Sequence, residues 1–202
     1  MDIQRVDDYV DSRFLPEVLK QHGAFVIDEK FPCSFEIISK DAAQVEYHDY
    51  SEIMPIIEQF RFYTEHITKF LDKDGNILAE FPPVNTFELG IDRIQPSQFY
   101  VDKDKIQAVS SFLTSESDIV VPVMAKDGRY ISLDGHTRLF YAYTQGWKTV
   151  RAFKTQVNGY VLKFVEEAVK RGVTYVKDME LLEHADYEIK WNKFCDVFFK
   201  EK

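Results

Sequence analysis

The spacing of apolar and polar positions changes character along this chain. Up to residue 86, short apolar runs alternate with polar turns. Stretches 24–27, 34–39 and 45–47 read as short strands. Residues 5–21 carry a helical spacing that Gly23 stops, with Pro16 interrupting its middle. Ser51 reads as an N-cap, with Pro55 near the first turn. Ile53, Ile56, Ile57, Phe60, Thr64 and Ile67 then follow the helical period. Asp72-Lys73-Asp74-Gly75 is a plain turn leading into a strand at 76–81. It lacks the later acidic ligands of a calcium loop.

The middle of the chain is more regular. A strand at 89–94 ends at Pro96, and Asp102 caps a helix with Ile106, Val109 and Leu113 on one face. An apolar run at 119–125 meets the turn Lys126-Asp127-Gly128, and 129–133 alternates as the return strand. Asp134-Gly135 leads into a helix bearing Leu139, Phe140, Ala142 and Tyr143, closed by Gly146. A last strand covers 148–154. The order β-α-β-β-α-β in about 70 residues defines a compact α+β unit. Beyond it Asn158 caps a helix that stops at Gly172, and Asp178 starts a short helix. Tyr187, Trp191, Phe194, Cys195 and Phe198 lie at i, i+4, i+7, i+8 and i+11, a single apolar stripe suited to packing. Three segments follow: a mixed α/β part at 1–86, the core at 87–156 and a helical part at 157–202. Pro82-Pro83 and Asn158-Gly159 mark the breaks.

Charge sharpens this division. The 202 residues carry a net charge of −9. Residues 1–86 hold 8 Lys/Arg against 17 Asp/Glu, while the core is at +1 and the last segment at −1. The acidity disfavours coating a nucleic acid through bulk charge, but leaves room for a local anion pocket in the core. No apolar run reaches the roughly 18 residues that span a bilayer. The first residues lack the basic-then-apolar order of a signal peptide. Two cysteines, Cys33 and Cys195, form no disulfide framework. The expectation is a cytoplasmic protein without a membrane partner. His22, His48, His66 and His184 show no metal-ligand spacing.

The candidate chemistry lies at Asp134-Gly135-His136-Thr137-Arg138. A strand-to-helix turn exposes backbone N–H groups and the positive end of the helix dipole. Gly135 allows a ligand close to the backbone. Arg138 can grip phosphate or carboxylate with two parallel hydrogen bonds. His136 can exchange a proton near neutral pH, and Asp134 can hold a metal–phosphate complex or act as a base. The plainer alternative has Asp134 and Thr137 capping the helix while Arg138 pairs with an acid.

Here the chain resembles a known group. The turn after Ile94-Gln95-Pro96, the helix that follows, the Val120-Val121-Pro122-Val123-Met124 strand, the stretch from Asp127 to Arg138 and Gly146 are similar to the ParB/sulfiredoxin superfamily over residues 89–154. The resemblance implies a nucleotide pocket. Phosphates would lie over Gly135, His136, Thr137 and Arg138, and Ser97, Gln98 and Lys105 would line the other wall. Arg138 matches the arginine of the sulfiredoxins and the free-serine kinases, Asp134-Gly135 the kinase turn, and Lys105 a phosphate-side lysine of sulfiredoxins. Three departures narrow the activity. His136 stands where sulfiredoxin needs its cysteine, so sulfinic acid reduction is excluded. Thr137 replaces the kinases' histidine, and Gln98 their glutamate base. One arginine in the turn and no basic helix-turn-helix after it argue against a DNA-partitioning role.

Two readings follow. In the first the core is an enzyme, a phosphotransferase or NTP hydrolase. It binds ATP, ADP or CTP with Mg²⁺ bridging through phosphate oxygens, and Asp134 and His136 assist the chemistry. In the second the same pocket senses a nucleotide or another anion without turnover, and the flanking segments contact a protein. Tyr100, Tyr130, Tyr141 and Tyr143 are near enough in sequence to stack on a base, though core packing accounts for them as well.

Overall fold

The computed structural model describes residues 1–155 and 159–200, so the cap expected at Asn158 lies outside the described residues. The chain divides into two compact units, Met1–Val84 and Asn85–Lys202.

The first unit runs β1 (Ile3–Arg5), α1 (Pro16–Lys20), β2 (Ala24–Ile27), β3 (Phe31–Ile37), β4 (Ala42–Glu46), α2 (Ile53–Tyr63), β5 (Lys69–Leu71) and β6 (Ile77–Glu80). The strands form one sheet in chain order. Every neighbouring pair is antiparallel except β4 and β5. A parallel pair needs a crossover, and α2 supplies it. That helix buries Ile53, Ile56, Ile57 and Phe60, as its spacing predicts, but it ends at Tyr63, so Thr64 and Ile67 of the expected run lie beyond it. Phe60 stacks on Phe35 at 4.4 Å, and Phe25 and Phe70 meet Phe35 edge-on at 5.6 and 6.0 Å.

Two further expectations change in this unit. The helix expected over 5–21 is confined to Pro16–Lys20, because proline takes the first helical position and cannot accept a preceding turn. Of the residues before it, Arg5 belongs to β1 and those from 6 to 15 form neither helix nor strand. Ser51 is no cap: Asp49 caps a 3₁₀ turn at Tyr50–Glu52 that leads into α2, its carboxylate accepting the Ser51 N–H at 3.1 Å. The Asp72 carboxylate accepts N–H bonds from Asp74 and Asn76, which makes the following loop a tight Asx-type turn.

The second unit runs β7 (Thr86–Gly90), β8 (Ile94–Pro96), β9 (Tyr100–Asp102), α3 (Lys103–Ser110), β10 (Val120–Lys126), β11 (Arg129–Ser132), α4 (His136–Thr144), β12 (Thr149–Lys154), α5 (Tyr160–Lys170), β13 (Glu180–Leu182), α6 (His184–Tyr187) and α7 (Lys193–Lys200). Five strands form a mixed sheet in the order β7-β12-β10-β11-β8. This is an α+β fold, as the element order predicts. The hairpin at Asp127-Gly128 has φ of 50° and 78°, the two positive values that a tight two-residue turn demands. The strand expected at 89–94 is split by a 3₁₀ turn at Ile91–Arg93, so β7 pairs with β12 and β8 with β11. Asp102 caps α3 by accepting the Asp104 N–H at 2.9 Å.

The C-terminal elements pack into this unit. Asp178 ends a 3₁₀ turn at Val176–Asp178 rather than starting a helix, since its carboxylate accepts the N–H groups of Thr174 and Tyr175. The chain then enters β13, which pairs in parallel with β9. The expected stripe is a packing face. Trp191 and Phe194 meet Phe99 at 4.9 and 5.1 Å, Phe198 meets Phe164 at 4.4 Å, and Arg171 covers Phe99 at 4.4 Å. Burial lifts the half-buried Cys195 thiol to about 11, so it is an inert small hydrophobe. Among the described residues no helix is long and apolar enough to cross a membrane.

Candidate functional site

The turn between β11 and α4 begins with backbone conformation. Gly135 is the N-cap of α4 at φ 76° and ψ 21°, the left-handed region. A Cβ at this position would lie 2.8 Å from Val121 Cγ1 and 3.0 Å from the Arg138 Nη2. Glycine is therefore required twice, for its conformation and for space. Gly135→Ala is expected to cost about 1–2 kcal/mol, measured as a shift of the urea midpoint. A change below a few tenths would contradict the left-handed conformation.

The Gly135 carbonyl accepts the Leu139 N–H at 2.9 Å, so the N–H groups of His136, Thr137 and Arg138 precede the first bond within the helix. No side chain caps this end. Neither Asp134 nor Thr137 takes that role. Arg138 instead closes over the turn. Its Nη1 donates to the Val120 carbonyl at 3.0 Å and its Nη2 to Asp134 Oδ2 at 3.3 Å. The Asp134 side chain is half exposed and that of Arg138 is 20% exposed. Such an exposed i,i+4 pair is worth only a few tenths of a kcal/mol, about 0.3–0.5, so an incoming anion can compete for the guanidinium.

His136 stands differently from its expected role as a proton carrier facing a ligand. It is buried, and the Ser97 N–H donates to its Nε2 at 3.2 Å. Ser97 Oγ donates to the Ser132 carbonyl at 2.9 Å and lies 3.1 Å from the same Nε2. Burial drives the imidazole down to about 4, the nearby Asp134 carboxylate opposing this and Arg138 adding to it. The ring is thus neutral at pH 7 and fastens the α4 turn to the loop after β8. Ser132 Oγ is buried beside this arrangement with no hydrogen-bond partner among the described residues.

The remaining expected residues gather elsewhere. Gln98 Nε2 donates to the Tyr100 carbonyl at 2.5 Å and to the Tyr187 hydroxyl at 3.2 Å. Lys105 Nζ lies 5.1 Å from the centre of the Tyr187 ring, a cation–π contact. The expected site therefore resolves into three pairs: Asp134 with Arg138, His136 with Ser97, and Gln98 with Lys105 around Tyr187. Tyr187 lies 89 positions from Gln98, and its only sequence signal was membership of the apolar stripe.

A second polar group surrounds the start of α3. Asp102 is almost fully buried, and its Oδ2 lies 2.8 Å from His184 Nδ1, while Asp104 is close by. The carboxylate's hydrogen bonds raise the His184 pKa above the usual imidazole value. Capping of α3 and the pairing with His184 use both Asp102 oxygens, which explains a buried carboxylate without a further ligand.

The class of molecule defined so far is an α+β unit with an uncapped helix start beside a glycine turn. Comparison with protein-family models and with curated proteins finds no match. Among solved structures the chain is similar to the crystal structure of protein Atu1540 from Agrobacterium tumefaciens, at 17% identity and a TM-score of 0.35. The similarity covers 48% of this chain and 61% of that one, so it spans less than two thirds of that protein.

Proposed function

We propose that the Asn85–Lys202 unit binds a phosphate-bearing small molecule, a nucleotide such as ATP, ADP or CTP, at the first turn of α4. The observation that carries this is the set of N–H groups at His136, Thr137 and Arg138, uncapped by any side chain and covered on the Gly135 side by the movable Arg138 guanidinium. Such a terminus with an adjacent guanidinium suits a phosphate. The resemblance of residues 89–154 to the ParB/sulfiredoxin superfamily supports the same ligand. On binding, Arg138 exchanges Asp134 for a phosphate oxygen while keeping its bond to the Val120 carbonyl. Mg²⁺ would ride on the phosphate oxygens, since Asp134 is the one carboxylate in the turn.

Binding without turnover fits the geometry better than catalysis. His136 is neutral, buried and engaged with Ser97, which leaves Asp134 as the remaining candidate for chemistry. The phosphotransferase or hydrolase reading rests on its half-exposed carboxylate.

The thermal midpoint with ATP, ADP, CTP and GTP, with and without Mg²⁺, tests this. A ligand at a hundred times its Kd stabilises by about 2.7 kcal/mol, a rise of several degrees. Arg138→Ala is expected to abolish the rise. Thr137→Glu, which leaves the Arg138–Val120 bond intact, should do the same by placing a negative charge where phosphate belongs. No rise with any nucleotide refutes the proposal, and phosphate release that depends on Asp134 restores the enzymatic reading. A duplex-binding assay at low salt is expected to be flat, in keeping with the acidic chain.

A further inference from the structure

A cleft lies away from the α4 turn, at the other end of the same helix. It encloses about 490 Å³ and is lined by Tyr143 of α4, Trp147 and Lys148 of the loop before β12, Asp92 of the 3₁₀ turn after β7, and Tyr175 and Lys177 of the turn before β13. Its volume falls in the range of small-molecule sites, roughly 300–1,000 Å³. Helix α4 has nine residues and so separates the two sites by about 13 Å.

The walls are pinned rather than loose. The Ile91 N–H donates to the Lys148 carbonyl at 3.0 Å, joining the Asp92 turn to the Lys148 loop. The Trp147 N–H donates to the Ala142 carbonyl at 3.1 Å, and its ring meets Tyr141 edge-on at 5.7 Å. Tyr175 is held from one side by the Arg129 guanidinium at 4.3 Å. That guanidinium is itself tied to the carbonyls of Ile94 and Thr174 at 3.1 and 2.8 Å. An aromatic lining fixed in this way needs little reordering to accept a ligand.

The polar groups select the ligand's charge. Lys148 and Lys177 are exposed, and among the described residues neither forms a salt bridge. Lys177 lies 5.5 Å from the Tyr175 ring centre. Two ammonium groups without carboxylate partners beside three aromatic side chains suit a ring that carries an acid. Asp92 is the acid of the lining and can accept a hydrogen bond from the opposite edge of such a ring.

We propose that this cleft binds a planar aromatic anion. The ring contacts Tyr143, Trp147 and Tyr175, and the carboxylate or phosphate faces Lys148 and Lys177. The proposal is independent of nucleotide binding at Gly135, and its test separates the two. Titration of the full chain with 2-naphthoate, followed by calorimetry, is expected to saturate at one ligand per chain. The uncharged 2-naphthalenemethanol should bind about tenfold more weakly. Lys148→Glu/Lys177→Glu, two exposed substitutions that leave the core untouched, should weaken 2-naphthoate by at least about tenfold, and Tyr175→Ala should abolish binding. Arg138→Ala should leave it unchanged. Absence of saturable binding, or an affinity that ignores the two lysine reversals, overturns the proposal. So does loss of binding in Arg138→Ala, which would assign the anion to the α4 turn instead.

Discussion

Phe35→Ala is expected to destabilise the first unit by about 3–5 kcal/mol. Phe35 is fully buried on β3, stacked on Phe60 of α2 and edge-on to Phe25 and Phe70. Its removal deletes apolar contact with the crossover helix and with both neighbouring parts of the sheet at once. A cavity enclosed by three other rings collapses poorly, because rigid aromatic planes cannot rearrange to fill it. Urea unfolding, read through amide exchange of β2, β3, β4 and β5, checks the value. A loss below about 1 kcal/mol would mean that these rings do not interlock as described. Phe62, exposed on the outer face of α2, is the control and should change stability by no more than about 0.5 kcal/mol on truncation.

The second large effect is a pH dependence. The His136 imidazole sits near 4 in the folded chain against 6.5 when unfolded, with burial as the main cause. Between these values the unfolded chain binds more protons, so stability falls as pH drops from 6.5 to 4. The full contribution is present above 6.5 and the loss is complete below 4. Its size is about 3 kcal/mol. His184 acts with the opposite sign. Its pKa is raised by Asp102, so its contribution is present below 6.5 and is lost as pH rises through the folded value. That contribution is small because the ring is half exposed. Urea midpoints from pH 4 to 8, compared between the parent and His136→Gln, isolate the His136 contribution, since His184 is common to both. Parallel curves would contradict a buried neutral imidazole. The same measurement bears on function, because a histidine that titrates near neutral pH would again be available for proton transfer at the turn.

Much of the fold was legible along the chain. The α2 stripe, the Asp127-Gly128 hairpin, the cap at Asp102 and the glycine turn before α4 all depend on residues within a few positions of each other. Local conformational preference and the helical or strand period decide such features. The elements that a local pattern does not reveal share a cause as well. β5 and β13 are three residues long, too short for a period, and they exist because distant strands offer them hydrogen-bond partners. The 3₁₀ break at Ile91–Arg93 is invisible in a continuous run that reads as one strand. Pro16 shows the reverse case, where a single residue outweighed an apolar spacing that reached across it.

The candidate site divides along the same line. The glycine turn and the start of α4 follow from the local chain, because the left-handed Gly135 and the helical period after it involve only neighbouring residues. What each side chain does there depends on long-range contacts. Folding turns His136 inward to Ser97, 39 positions away, sets Arg138 on the Val120 carbonyl, and brings Tyr187 between Gln98 and Lys105. It also assembles Tyr143, Trp147 and Tyr175 into one cleft from separate segments. The physical reason is that backbone conformation follows from neighbouring residues. Burial, protonation and hydrogen-bond partners depend on which distant surfaces the folded chain closes against each other.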